Sequence, residues 1–393
     1  MRHAARPSTL ALTAAAVVAG LLGAAPATAA PATAAVTEPA DDPFYVPAAG
    51  YEYAAPGAVL KQRGVTAAGL PAQQLQVRST DAKNRPVTVV STLIVPPGFY
   101  PGQRPLLSYQ PATDSLGDQC DPSYTLRTGL EKEIPLLGLG LAKGWAVVVT
   151  DYQGPRDAYG AGRMSGHAVL DGIRAAKSLS GAGLAGAKVG IWGYSGGALA
   201  TGWAAELQPS YAPELTITGV AAGGTPADLT AAARTIDGGL FSGLGIGAIA
   251  GLAREYPELL PLLNDAGRAT FADIADMCVA ELAISHPLRR IAEFTHSADP
   301  LNEPVARQVL ADTRMGSQAP AAPVYLYHSK FDELIPWDSG DTLRREWCAR
   351  GTRVTFVTDY LSEHNVLAVT GAPGAVGYLS ARFLGISVPT TCR

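Results

Sequence analysis

Apolar residues fall in short bursts along this chain, and the spacing of the bursts predicts its elements. Six compact runs have the length and the β-branched or aromatic content of buried strands: residues 105–109, 145–150, 188–192, 216–220, 323–327 and 353–358. Between several of them the pattern changes to helical spacing, as at 166–179, 198–207 and 338–349. Farther upstream, 75–78 and 87–95 are β-rich and flank the turn-forming Asp81-Ala82-Lys83-Asn84, which predicts a hairpin. Strands alternating with helices predict an α/β fold, with a mostly parallel central sheet covered by helices on both faces.

One connection breaks this rhythm. Residues 225–320 separate two strand candidates that would otherwise be neighbours, and a structureless loop of that length is implausible. The segment has helical patterns of its own at 248–260 and 271–284, so it reads as a helical cap inserted into a core of residues 51–224 and 321–393. Within it, 238–253 is Gly-rich and uncharged between Asp237 and Arg254. Sixteen residues is short for a membrane span, so a buried or substrate-facing element is expected.

The chain's beginning reads as an address. Arg2, His3 and Arg6 precede an uncharged apolar run at 10–22, followed by the small-x-small triplet Ala27-Thr28-Ala29. A run of 13 residues is shorter than the ~20 of a spanning helix, so 1–30 is expected to be an export signal cleaved near Ala29 or Ala30. No stable membrane span is expected, and the protein is expected to be secreted and extracellular. Residues 31–50, rich in Ala and Pro, read as a flexible leader.

Composition narrows the partners. With 47% hydrophobic and 16% charged residues in 393, disorder is excluded. The net charge is -4, and without Arg2 and Arg6 there are 28 positive against 34 negative residues. The longest basic runs are pairs such as Arg289-Arg290, which gives no footprint for nucleic acid. Four cysteines, Cys120, Cys278, Cys348 and Cys392, suggest two disulfides in an exported chain, with three pairings open. None forms a CxxC pair, which argues against a zinc ribbon or a dithiol redox site.

The chemistry is concentrated at Gly193-Tyr194-Ser195-Gly196-Gly197, a G-x-S-x-G pattern between a strand pattern and a helix pattern. A tight strand-to-helix turn lifts the central serine above the sheet, and flanking glycines remove side chains that would clash. The bare pattern also occurs by chance, so its context carries the weight. A serine needs a base to take its proton. His3 leaves with the signal, His167 opens a helix pattern, His286 and His296 lie in the cap, and His328 ends a strand, where a core or hydrogen-bonded role is common. His364 follows the last strand and precedes the terminal helix pattern 365–383, the place of the base when nucleophile, acid and base come in that order. The acid then falls after strand 323–327: Asp332 first, Glu333 as runner-up, and Asp338 as a helix N-cap.

At this point the chain resembles the secretory lipase family of α/β-hydrolases, over most of its length from about Phe44 to Cys392. The resemblance rests on Gly193-Tyr194-Ser195-Gly196-Gly197, Phe331-Asp332-Glu333-Leu334-Ile335-Pro336, Glu363-His364, Leu170-Asp171-Gly172-Ile173-Arg174-Ala175 and Ser210-Tyr211-Ala212-Pro213-Glu214-Leu215. The insertion after Gly223-Gly224-Thr225-Pro226 is also in the family's place. The resemblance implies a carboxylic ester hydrolase with Ser195, Asp332 and His364 as triad, acting on a lipid or other hydrophobic ester without metal or organic cofactor. Transient contact with a lipid interface would fit such a substrate. Gln110-Pro111-Ala112-Thr113-Asp114-Ser115 matches the family's oxyanion turn, which implies backbone donors at Asp114 and Gly196. It also implies disulfides Cys120–Cys278 and Cys348–Cys392. The stretch Asp151-Tyr152-Gln153-Gly154 departs from the His-Glu-Gly of fungal members. Rival readings are an acyltransferase with the same triad, separable by product analysis with competing acceptors, and an inactive lipid-binding relative. A serine peptidase fits less well, because the cap resembles that of lipases.

Overall fold

Three N-terminal strands, β1 (Val59–Ala67), β2 (Leu70–Thr80) and β3 (Pro86–Ile94), pair antiparallel in sequence order. Six shorter strands follow: β4 (Leu106–Gln110), β5 (Ala146–Thr150), β6 (Val189–Tyr194), β7 (Ile217–Gly223), β8 (Val324–Ser329) and β9 (Val354–Asp359). These six are mutually parallel, and an antiparallel β3–β5 pair joins them to the first three. The result is one sheet in the order β1-β2-β3-β5-β4-β6-β7-β8-β9. The computed structural model describes residues 36–392, so the proposed export signal 1–30 lies outside the described residues.

Helices supply the two covering layers. Before β7 come α1 (Pro122–Thr128), α2 (Ile134–Ala142), α3 (Gly162–Ser178) and α4 (Gly196–Tyr211). Between β7 and β8 lie α5 (Leu229–Ile236), α6 (Ser242–Glu255), α7 (Asp265–Asp273), α8 (Val279–Ser285) and α9 (Pro304–Asp312). The chain then adds α10 (Trp337–Ala349), α11 (His364–Thr370) and α12 (Ala372–Phe383). Alternation along the strands sends side chains to opposite layers. Val148, Ile191, Val220 and Leu326 pack with Ile173, Trp203 and Leu343 on one face. Their neighbours Val147, Trp192, Ala221 and Tyr327 pack with Leu137, Val376 and Leu379 on the other. Inner strands are therefore apolar on both sides, which is why they read as continuous runs rather than alternating ones.

The structure departs from the expected elements in four places. Strand β1 was not visible, because Lys61-Gln62-Arg63 sits at its centre on a half-exposed edge of the sheet. The helix expected over 271–284 is broken at Ile274–Cys278: Arg254 takes the Ala275 carbonyl, Leu116 N–H takes that of Met277, and Cys278 is tied to Cys120. The terminal helix pattern is split at Gly371, with Pro373 in the first turn of α12. Finally, the described part of the expected flexible leader is anchored. Asp42 is buried in ion pairs with Arg63 at 2.7 Å and Arg127 at 3.3 Å, and Gln76 donates to the carbonyls of Phe44 and Val46. Composition missed this because single polar residues, not an apolar pattern, make the attachment.

The uncharged stretch 238–253 becomes most of α6. Gly243, Gly247 and Gly251 recur every fourth residue, so they share one face. A side chain on any of them would overlap Leu282 of α8 or the backbone of Tyr159. The glycines thus let α6 lie close against its neighbours while its larger residues face a cavity.

Candidate active site

Ser195 connects β6 to α4 with φ 54° and ψ −123°, a conformation that costs a non-glycine residue energy. It is held there because Ser195 N–H donates to Gly223 O at 2.8 Å, and because both flanking elements are packed. Glycine is required around it. A side chain on Gly193 would strike the Gly197 backbone, and one on Gly197 would strike the Gln110 carbonyl.

The other two side chains come from the ends of β8 and β9. His364 opens α11 and is buried, with Nε2 2.9 Å from Ser195 Oγ and Nδ1 2.7 Å from Asp332 Oδ2. Asp332 Oδ1 accepts the N–H groups of Leu334 at 3.0 Å and Ile335 at 2.7 Å. Burial works to raise the Asp332 carboxyl, but hydrogen bonds from His328 and His364 outweigh it and hold it well below its usual range. Glu333 accepts the backbone N–H of His364 at 3.1 Å, so it fixes that residue's main chain rather than its imidazole. Tyr194 donates its hydroxyl to His364 O at 2.6 Å. Asp338 lies in the first turn of α10 and Pro336 takes the N-cap position expected for it. His167 is bonded at Nδ1 to Thr80 O, far along the chain in α3, and burial pushes it down to about 4.

Asp114 sits on the loop after β4 with φ 47°, and Asp114, Ser195 and Gly196 line one cavity. Its carboxyl lies against Gly196, where any side chain would overlap it. Burial pushes this carboxyl up to about 6, against the opposing pull of Lys132, His364 and the Gly196 amide. The loop is clamped from two sides. Gln153 accepts Ser115 N–H at 3.2 Å and donates to Ser115 O at 2.7 Å, while Tyr152 donates to Pro111 O at 2.7 Å. Opposite them, Glu133 accepts Ala112 N–H at 2.9 Å and Lys132 donates to Ala112 O at 2.6 Å. No local sequence pattern marks these four residues beyond the departure at Tyr152-Gln153. The structure also contains disulfides Cys120–Cys278 and Cys348–Cys392, the first joining the loop after β4 to the cap. Among the described residues no cluster of three His, Cys, Asp or Glu side chains could hold a metal ion.

Two kinds of space meet at Ser195. Beneath the helices inserted between β7 and β8 is a narrow apolar cavity of about 90 Å³, lined by Leu199, Leu229, Leu244 and Ala248 among others. It shares Ile249, Leu252, Leu301 and Leu310 with a second apolar cavity of about 50 Å³ deeper in the cap. On the other side of Ser195 a more open crevice of about 370 Å³ is lined by Ala112, Lys132, Leu136, Asn365 and Val369.

A mostly parallel sheet, a serine on a strand-to-helix elbow and helices inserted after β7 define an α/β hydrolase. Residues 121–389 match the model of a family described as Secretory lipase, and the chain belongs to that family. It is 39% identical to "Probable inactive lipase MT1628" of Mycobacterium tuberculosis, covering 88% of this chain and 83% of that protein. Against "Lipase 2" of Candida albicans it is 37% identical, over 89% of this chain and 82% of the relative. The structure of Candida antarctica lipase A superposes with a TM-score of 0.86 at 30% identity, covering 91% of this chain and 89% of that one. Family and relatives together support hydrolysis of hydrophobic esters, the work of lipases and esterases. Among the described residues no helix is long and apolar enough to cross a membrane.

Proposed function

We propose that the protein is a secreted serine hydrolase that cleaves carboxylic esters of hydrophobic acids through an acyl-enzyme on Ser195. One observation carries the reading: the unbroken hydrogen-bonded chain from Ser195 Oγ through His364 to Asp332, at 2.9 Å and 2.7 Å. In this mechanism Ser195 attacks the ester carbonyl while His364 takes its proton and passes it to the departing alcohol. Asp332 keeps the imidazole in the tautomer with Nδ1 protonated and stabilises the imidazolium. The N–H groups of Asp114 and Gly196 stabilise the oxyanion, a contribution of ~3–4 kcal/mol for one such donor. Water then releases the acid from Ser195 by the same steps in reverse.

The acyl chain would lie in the apolar cavity beneath α6 and the alcohol in the open crevice. In this reading residues 225–320 act as the cap that builds the acyl site, and residues 1–30 are removed during export. The test is hydrolysis of p-nitrophenyl butyrate: Ser195→Ala is expected to be folded and to react no faster than buffer. Measurable turnover by that variant would refute the nucleophile. A chain-length series of the same esters tests the cavity, and activity confined to acetate would count against it.

The name of the Mycobacterium tuberculosis relative favours a second reading, a lipid-binding hydrolase without turnover. Against it stands the intact hydrogen bonding of all three side chains. Product analysis on the unaltered protein separates the two.

A further inference from the structure

His328 has no part in the acyl transfer proposed above, yet it lies four residues before the acid, near the end of β8. Its ring is buried, with Nε2 3.0 Å from Ile335 O and 3.3 Å from Asp332 Oδ2. A carbonyl oxygen only accepts, so Nε2 carries a proton. That N–H donates to Ile335 O, and the same nitrogen lies beside the carboxylate at 3.3 Å, close enough for electrostatic attraction. Ile335 returns its own N–H to Asp332 Oδ1 at 2.7 Å. Imidazole, peptide and carboxylate are therefore joined in a chain of two hydrogen bonds, from His328 to the Ile335 carbonyl and from the Ile335 N–H to the acid. Behind the ring, α10 provides room: a Cβ on Gly340 would come within 2.6 Å of His328 Nδ1.

We infer that His328 is a positioning residue for ester hydrolysis: its Nε2–H holds the Ile335 peptide, and through it the Asp332 carboxylate, in register with His364. The inference rests on the triad proposed for Ser195, His364 and Asp332. Oδ2 of Asp332 thus stands between two imidazoles, His364 at 2.7 Å and His328 at 3.3 Å. Ile335 also lines the cavity that contains Ser195, so the same link ties the acid to a wall of the acyl site.

Asp114 on the loop after β4 also faces His364, with Lys132 drawn to it; the other titratable groups of the surrounding elements are engaged or stand apart. Tyr194 of β6 donates to His364 O; Glu333, Asp359 of β9 and Glu363 accept backbone N–H groups. Asp338 lies in the first turn of α10, and Lys330 sits over the Trp337 ring. Among the described residues, the only side chains that reach the Asp332 carboxylate are the two histidines.

The experiment is the pH profile of kcat and kcat/KM for p-nitrophenyl butyrate, expressed per active site titrated with a fluorophosphonate. His328→Leu removes the donor at similar bulk, and is expected to lower kcat on the order of 10- to 100-fold. Its acid limb is expected to move to higher pH, because a carboxylate without the imidazole N–H dipole 3.3 Å away keeps more charge for the His364 imidazolium. His328→Gln, whose amide can still donate, is expected to recover most of the rate. Gly340→Ala displaces the ring without touching Asp332, and a smaller shift in the same direction is expected. Unchanged kcat and acid limb in both His328→Leu and Gly340→Ala would overturn the role. So would losses confined to the amount of titratable enzyme. Failure of the unaltered protein to titrate at all would bring down the triad, and this inference with it.

Discussion

Asp332 and Glu333 are adjacent carboxylates with separate tasks. The first accepts the imidazole N–H of His364 and the second accepts the backbone N–H of the same residue. Asp332→Asn is expected to lower kcat by about 10⁴-fold, because an amide there favours the wrong tautomer. Glu333→Gln keeps an acceptor and is expected to cost less than about tenfold, the worth of one neutral hydrogen bond. Steady-state kinetics on both variants checks this, and the reverse ranking would move the acid to Glu333. At this scale the sequence showed residue types in a telling order: serine in a glycine turn, then an acid after a strand, then a histidine after the last strand. The structure brings those three within hydrogen-bond distance. It also gives partners to His328, expected only as a core or hydrogen-bonded histidine, and to Tyr152 and Gln153, marked only by the departure there, because Gln153 grips a residue 38 positions away and His328 works through a peptide carbonyl.

Among the elements, the helices inserted between β7 and β8 line the apolar space, with α6 as its inner wall. Leu252, Leu301 and Leu310 stand where the two cavities meet, and Leu310 on α9 is half-buried. Leu310→Trp is expected to block the deeper cavity and lower kcat/KM for decanoate esters ~10-fold or more, leaving butyrate near its original rate. Equal losses on both esters would show that the deeper cavity does not receive the chain. The Cys120–Cys278 bond spans 158 residues and ties the cap to the loop bearing Asp114. Replacing both cysteines by serine is expected to cost about 2–5 kcal/mol in denaturant unfolding; no loss would show that packing alone holds the cap. The parallel strands were legible because burial on both faces makes each a continuous apolar run. Strand β1 and the break between α7 and α8 were not, since the first is half polar and the second follows from contacts with Leu116, Cys120 and Arg254.

For the molecule as a whole, buried carboxyls set a pH dependence. Burial pushes Asp114 up to about 6, and Glu133, Asp151 and Asp157 each up to about 7. Folded protein thus binds these protons more tightly than unfolded chain, so stability falls as pH rises from ~4 through these values. Asp332, Asp42 and Asp81 are shifted the other way, and what they contribute is lost as pH falls below ~4. His167, pushed down to about 4, opposes the four raised carboxyls below pH ~6.5 but is a single group against them. Thermal unfolding is therefore expected at higher temperature at pH 5 than at pH 8, and Asp151→Asn should flatten the slope. A melting temperature that climbs steadily from pH 5 to pH 8 would contradict this. Export makes its own prediction: N-terminal sequencing of protein from culture medium should begin at Ala30 or Pro31, and a retained Met1 would exclude cleavage.

In the proposed mechanism His364 and Asp332 make Ser195, among all the chain's serines, the nucleophile. Treating the unaltered protein with a fluorophosphonate and locating the adduct by peptide mass spectrometry checks this. One adduct per chain is expected, on Ser195, lost in His364→Ala while that variant remains folded. Labelling spread over surface serines, or unchanged in His364→Ala, would contradict it.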